Sequence, residues 1–389
     1  MDIPLPLPLL LGGAEEDGNG GARENTRLPG RIEKMSRLQR SWAAAGCGAV
    51  AAPTFRGNRF RLPRRDGEED VGGYNRTLVE LTRRSVGERV LVAGGIGPAG
   101  QELEPFGDVS FEELVTAYAE QAAALEEAGV DLFLLAEDMT MAEERAAMLA
   151  VRQASGKPVV VLARCDEEGR TASGTDVLAA LIVMQGMGAA AFGLSCWEGE
   201  EALLEQLQRL TPYAAVPLAA VVSRAGAELQ TLAETGVKLF ACGGALSGEG
   251  VAALARGLER VDFSRFVPPE HDPDVIPCAS EKEARFITPD VDVGETIECT
   301  PDLMEEILEA EETCPQGALK IAILEEDDVA IFAENQYVVR DALCLWSDVP
   351  ELLEQALRVY QGRAFWDGTG DLEPEFLAEM SRKYGLVLL

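Results

Sequence analysis

Eight short apolar runs alternate with longer amphipathic stretches between residues 8 and 257, and several runs are entered through the same glycine joint. Together these observations predict a closed (βα)8 barrel. A shift to acidic, polar sequence after Pro268-Pro269 predicts a smaller α/β unit behind it. Strands separated by helices pair in parallel through right-handed crossovers, and eight such units favour closure over an open sheet. The chain of 389 residues accommodates a TIM barrel of ~250 residues with an appendix. The division read from the sequence is a barrel over 1–265 and a small unit over 275–389.

The strands are read at 8–11, 49–54, 89–96, 130–136, 158–163, 189–195, 217–222 and 237–241. Ahead of the first, Ile3-Pro4-Leu5-Pro6-Leu7-Pro8 resembles the apolar core of a secretory signal only in composition. Its alternating prolines oppose a helix, and it has neither a basic start nor a small-residue cleavage site. It reads as an extended lead into strand one. Between strands three and four, residues 111–128 place Leu114, Ala117, Tyr118, Gln121, Leu125 and Ala128 along one helical face, and 177–187 reads as a similar helix. The pairs Gly129-Val130, Gly188-Ala189 and Gly236-Val237 read as a helix C-cap followed by an entering strand. Beyond the proline pair, 270–316 is acidic and polar. Residues 318–323, 329–333 and 343–346 then read as strands, with helices at 349–360 and 373–384.

The formal charge is −33, from 34 basic and 67 acidic residues. Such a surface repels phosphate backbones and anionic headgroups, so neither nucleic acid nor membrane is expected as a partner. No apolar run approaches the ~18 residues that span a bilayer. Eight cysteines without a C-x-x-C pair suit a reducing cytosol, and a cytoplasmic location is expected. The single histidine, His271, sits in the linker-like Pro268-Pro269-Glu270-His271-Asp272-Pro273, which excludes histidine triads and multi-histidine metal sites.

Reactive groups of such a barrel stand at the C-terminal ends of its strands. Strand four ends in Glu137-Asp138, strand five in Arg164-Cys165-Asp166, strand six in Cys196 and strand eight in Cys242. Three thiols and several carboxylates are thereby expected on one rim. Singly, each has a plain structural role, as buried filler or as a helix cap. Together they suit thiol chemistry, because zinc deprotonates a bound thiol while leaving it nucleophilic, and soft thiolate ligands select zinc.

Four segments carry a resemblance. They are Thr54-Phe55-Arg56-Gly57-Asn58-Arg59-Phe60, Gly94-Gly95-Ile96-Gly97-Pro98-Ala99-Gly100, Ala128-Gly129-Val130-Asp131-Leu132-Phe133-Leu134-Leu135-Ala136-Glu137, and Gly169-Arg170-Thr171-Ala172-Ser173-Gly174-Thr175-Asp176. In their order and spacing, over roughly residues 8–257, the sequence resembles the homocysteine S-methyltransferases. The resemblance implies a zinc cofactor, a small thiol substrate, a methyl donor, a place in methionine biosynthesis, and Glu137 as catalytic and substrate-binding with Thr54 and Gly94. It leaves self-association into a homo-oligomer open. The family holds zinc through the cysteine of a G-x-N-C segment and a later Cys-Cys pair. Cys196 and Cys242 fall on the first two of these positions, and Gly243 falls on the third. A working site therefore requires a replacement, for which Cys165 is the first choice and Glu137 or Asp166 the oxygen alternatives. Without it, zinc is bound weakly or not at all, since catalytic zinc needs three protein ligands. A shared site further requires the Cys196 and Cys242 sulfurs to lie within about 8 Å of each other.

Other departures point the same way. The family's opening D-G-A-M-G-T reads Gly12-Gly13-Ala14-Glu15-Glu16-Asp17, its T-N-T-F reads Ala52-Pro53-Thr54-Phe55, its asparagine before the first zinc cysteine is Ser195, and its P-N-A-G reads Ser223-Arg224-Ala225-Gly226. Two functions follow as expectations: methyl transfer to a zinc-activated thiol, or a catalytically degenerate relative that binds a ligand or partner. The segments Leu343-Cys344-Leu345-Trp346-Ser347-Asp348, Ala356-Leu357-Arg358-Val359-Tyr360-Gln361-Gly362 and Lys383-Tyr384-Gly385 resemble part of a pterin-binding barrel, too short to build that site whole.

Overall fold

The computed structural model describes residues 5–13, 29–62, 70–222, 228–242, 246–270, 272–313 and 317–389. Eight parallel strands close into a ring in sequence order: β1 Leu9–Gly12, β2 Ala49–Ala52, β3 Leu91–Ile96, β4 Leu132–Leu135, β5 Val159–Cys165, β6 Ala191–Cys196, β7 Leu218–Val222 and β8 Val237–Cys242. β1 pairs with both β2 and β8, which seals the ring. The helices between and after them are α1 Pro29–Ala45, α2 Val71–Val86, α3 Phe111–Glu127, α4 Met141–Ala154, α5 Val177–Gly186, α6 Glu200–Leu210, α7 Leu229–Glu234 and α8 Gly248–Leu258. The expected TIM barrel is observed. None of the described helices is long and apolar enough to cross a membrane.

Register settles which side chains enter the barrel. Residues opposite each other on paired strands share a face, and the face alternates along each strand. Gly95 lies opposite Leu134, which lies opposite Val160, which lies opposite Ala191. Two residues on, Gly193 is opposite Ala219, and Ala219 opposite Leu239. Ala241 is then opposite Leu11, Leu11 opposite Ala49, and Ala49 opposite Leu91, two steps of two below Gly95. The walk returns in phase. A Cβ on Gly94, the other face, would meet Leu125 of α3 at 3.2 Å, so that face points to the helices. The Gly95 face is the lumen.

Small residues on that face are a packing requirement. A Cβ on Gly193 would stand 2.4 Å from the Ala219 Cβ and 2.8 Å from Leu162 Cδ2. A Cβ on Gly95 would lie 2.6 Å from the buried Phe55 ring.

The chain continues into an antiparallel hairpin, β9 Ile276–Ala279 and β10 Ala284–Ile287, and then a five-stranded parallel sheet. Its strands are β11 Val293–Glu298, β12 Ala318–Ala322, β13 Leu343–Trp346, β14 Phe365–Trp366 and β15 Val387–Leu388, adjacent in chain order. The alternating helices are α9 Leu303–Thr313, α10 Glu326–Asn335, α11 Pro350–Val359 and α12 Pro374–Tyr384. The hairpin's Cys278 and Ile287 cover one face of this sheet at Ala318, Cys344 and Phe365.

Here the structure corrects the sequence reading. Residues 329–333, expected as a strand, lie inside α10. The Asp328 carboxylate accepts from the Leu324 and Glu325 amides at 2.7 and 2.9 Å, and three acidic residues occupy the first turn, where a helix favours negative charge. The acidic stretch after the proline pair, to which no element was assigned, supplies β9, β10, β11 and α9. His271 lies outside the described residues.

α5 departs from the expected one-sided pattern as well. Val177 through Met184 are all buried, because the helix packs on the barrel wall with one side and on β9, β10 and α12 with another. A helix apolar all round is one covered all round. Beside it, Arg145 of α4 is fully buried and reaches across, its Nη2 donating to the Leu357 carbonyl at 2.9 Å and its Nη1 to the Gly362 carbonyl at 3.2 Å. Leu357 is in the last turn of α11, whose free carbonyls attract a cation. Burial lowers the Arg145 pKa to about 10, so the ion stays charged at neutral pH.

Two stability measurements test this account. Gly193→Ala should cost about 1–3 kcal/mol in chemical denaturation, since the added methyl has no room in the lumen. Arg145→Ala should cost about 2–4 kcal/mol and loosen protection of α11 in hydrogen exchange, because it strands two buried carbonyls and leaves a cavity. Wild-type stability in either variant would contradict the packing described.

Candidate functional site at the barrel mouth

The described polar groups on the lumen face gather at the C-terminal ends of β4, β5 and β6. Arg164 and Ser195 are register partners in phase with Leu162 and Gly193, so both project inward. Glu137, two residues past β4, meets them. Its Oε2 accepts from Arg164 Nη2 at 2.6 Å, Arg164 Nε at 2.8 Å and Ser195 Oγ at 2.6 Å. The Glu137 side chain is 2 % exposed and the Arg164 side chain 27 %. Asp138 Oδ1 approaches Arg164 Nε at 3.7 Å from the solvent side. A carboxylate this buried is held in place by its ion pair and the hydroxyl.

The other residues singled out in the sequence take different places. Thr54 is buried and its hydroxyl donates to the Gly95 carbonyl at 2.7 Å, while Gln121 Nε2 donates to the Thr54 carbonyl at 2.8 Å. These bonds fix the loop after β2 against β3. Gly94 lies on the outer face, where its lack of a side chain admits Leu125 and Val130.

The cysteines form two pairs on the outer face. Cys165 and Cys196 are opposite each other on β5 and β6, with sulfurs 3.2 Å apart. Cys242 is opposite Gly12, whose Cβ direction points at Trp42 and Cys47 beneath α1. Its thiol donates to the Leu11 carbonyl at 3.2 Å and hydrogen-bonds with Cys47. That bond, then burial, holds the Cys47 thiol well above the ordinary thiol range. Hydrogen bonding to Cys196, then burial, does the same for Cys165. β7 stands between β6 and β8, so the row from Cys196 to Cys242 spans two strand spacings, roughly 10 Å between backbones. Among the described residues no three Cys, His, Asp or Glu side chains come together to hold a metal. A three-ligand zinc centre does not fit these donors. Gly243 lies outside the described residues, as do Ala14–Asp17 and Ser223–Gly226.

The sequence profile of the homocysteine S-methyltransferase family matches residues 15–239, more than half of the chain. The chain belongs to that family. It is 27% identical over 207 residues to a methionine synthase of Mycobacterium tuberculosis and 26% identical over 207 residues to one of Mycobacterium leprae. Each match covers 50% of this chain and 17% of the relative, so the chain spans a small part of the length of these proteins. Among solved structures, the metallated form of the homocysteine methyltransferase MmuM from Escherichia coli shares the fold, with a TM-score of 0.52 and 20% identity, over 64% of this chain and 96% of that one.

Within a family barrel, then, this chain brings Glu137, Arg164 and Ser195 together at the mouth. Glu137 and Arg164 stood out in the sequence as residues at the ends of strands four and five, and Ser195 as a departure from the family's asparagine. Cys47 did not stand out, because its meeting with Cys242 is a contact between residues distant in sequence. Arg164→Met should destabilise the protein by about 3–5 kcal/mol at neutral pH, measured by denaturation, because it removes the cation paired with the buried Glu137 carboxylate. The double variant with Glu137→Gln should recover part of that loss. Equal losses in single and double variants would mean that the pair is not coupled.

Proposed function

We propose that the mouth binds a small amino acid and that the chain is a binding relative within its family, without a three-thiolate zinc centre. The observation that carries this reading is the Glu137–Arg164 pair on the lumen face. A free amino acid presents an ammonium and a carboxylate a few ångströms apart. Its ammonium matches Glu137 and its carboxylate matches the planar fork of Arg164. Ser195 keeps Glu137 oriented while Arg164 changes partner. The names of the relatives, methionine synthase and homocysteine methyltransferase, point to homocysteine or methionine as the ligand. Hydrogen bonds to charged groups contribute about 1.5–3 kcal/mol each, so the pair distinguishes a zwitterion from an analogue lacking one charge.

The second reading is methyl transfer from a methyl donor to a zinc-activated thiol, with Cys196, Cys242 and Cys165 as ligands and Glu137 as the catalytic and substrate-binding residue. Family membership and the two adjacent sulfurs of Cys165 and Cys196 favour it. The outward phase of Cys196 and Cys242 opposes it.

Calorimetric titration separates the readings. Homocysteine and methionine should bind, the homocysteine analogue without an amino group should bind at least about tenfold more weakly, and Glu137→Gln should lose a similar factor. Equal affinity for the analogue would refute the zwitterion site. Elemental analysis of the purified chain should find far less than one zinc per chain, unchanged in Cys196→Ser. Stoichiometric zinc that Cys196→Ser or Cys165→Ser abolishes, together with homocysteine methylation, would establish the second reading instead.

A further inference from the structure

We infer that Cys165 and Cys196 form a redox-modification site, in which a hydroperoxide converts two facing thiols into a disulfide across β5 and β6. The two residues are direct register partners on adjacent parallel strands. Adjacent strands stand ~4.8 Å apart, within the Cα separation a disulfide spans. Their sulfurs, at 3.2 Å, are in contact and need only about 1 Å of closure. Both are free thiols.

Access divides the labour between them. Cys196 is half-buried at the strand end and is followed by Trp197, which is 49 % exposed, so an oxidant reaches it from solvent. Cys165 is fully buried behind it, its thiol also donating to the Ser195 carbonyl at 3.6 Å. Cys196, as thiolate, attacks one oxygen of the hydroperoxide. An S–O bond forms, the O–O bond breaks, and the departing oxygen leaves as water or an alcohol, giving a sulfenic acid. The Cys165 sulfur then attacks the Cys196 sulfur. An S–S bond forms, the S–O bond breaks, and hydroxide leaves as water with the proton of the Cys165 thiol. The two sulfurs together lose two electrons and the peroxide gains them. A thiol reductant reverses the change.

The second pair serves as an internal comparison. Cys47 and Cys242 are both buried, close to Trp42, whereas Cys196 is only half-buried. The residues just before the reactive pair, Arg164 and Ser195, carry the Glu137 cluster, so the cross-link forms on the backbone that positions the mouth.

The intact chain, treated with hydrogen peroxide and mapped as peptides without reduction, tests the inference. The expected result is a Cys165–Cys196 linked peptide that disappears on reduction, formed at least tenfold faster than any change at Cys47 or Cys242. In Cys165→Ser the Cys196 sulfenic acid should accumulate and be trapped by a 1,3-dicarbonyl probe, with circular dichroism confirming that the variant is folded. Because the linked peptide is sought in the unaltered chain, the test survives a variant that fails to fold. Oxidation of Cys196 straight to sulfinic acid with no linked peptide would overturn the inference, as would linkage of Cys47 to Cys242 instead.

Discussion

Closure of an eight-membered ring with a two-residue side-chain period is the constraint on which the rest of this structure depends. Once β1 pairs with β8 as well as β2, every wall residue has its face decided by its neighbours. A residue cannot turn inward because chemistry would favour it. The lumen row through Leu162, Gly193, Ala219 and Leu239 stays narrow because Gly193 leaves no room beside Ala219. The same phase sends Arg164 and Ser195 inward to Glu137 and sends Cys165, Cys196 and Cys242 outward. Within the same fold, the phase of each strand therefore decides which of these side chains share a face.

Around that ring, the C-terminal part makes one apolar core with the barrel. α5 carries the contact, buried between the wall and the β9–β10 hairpin, where each well-buried aliphatic side chain contributes about 1.5–3 kcal/mol. Directional bonds then select one docking. Arg145 takes carbonyls at the end of α11 and just after it. Arg170 on the loop after β5 meets Glu283 at 2.9 Å and the Lys282 carbonyl at 3.0 Å. The hairpin tip therefore braces a loop at the mouth, and Arg358 of α11 pairs with Glu112 on α3.

How much of this could be read from residues alone varies by element. The barrel was legible because its apolar runs are short, regularly spaced and entered through glycine joints such as Gly129-Val130, features that depend on local geometry. Residues 329–333 misled because five apolar residues look alike as strand or buried helix, and the deciding bonds come from Asp328, just outside the run. α5 misled because a cover on its second side cannot be seen from its own sequence. Glu137 stood out at the end of strand four, whereas its pairing with Ser195 is a contact 58 residues away in sequence.

The sequence by itself determined the number of strand–helix units, the family, and the set of thiols and carboxylates near the strand ends, because these follow from composition and from patterns a few residues long. Only the tertiary structure decided which of those groups meet. That choice rests on register between strands distant in sequence, and a shift of one residue in phase moves a side chain from the lumen to the helices. Cys196 beside Cys165 and Ser195 beside Arg164 are products of that register, and Glu137 and Cys47 reach theirs from the loops that flank the strands.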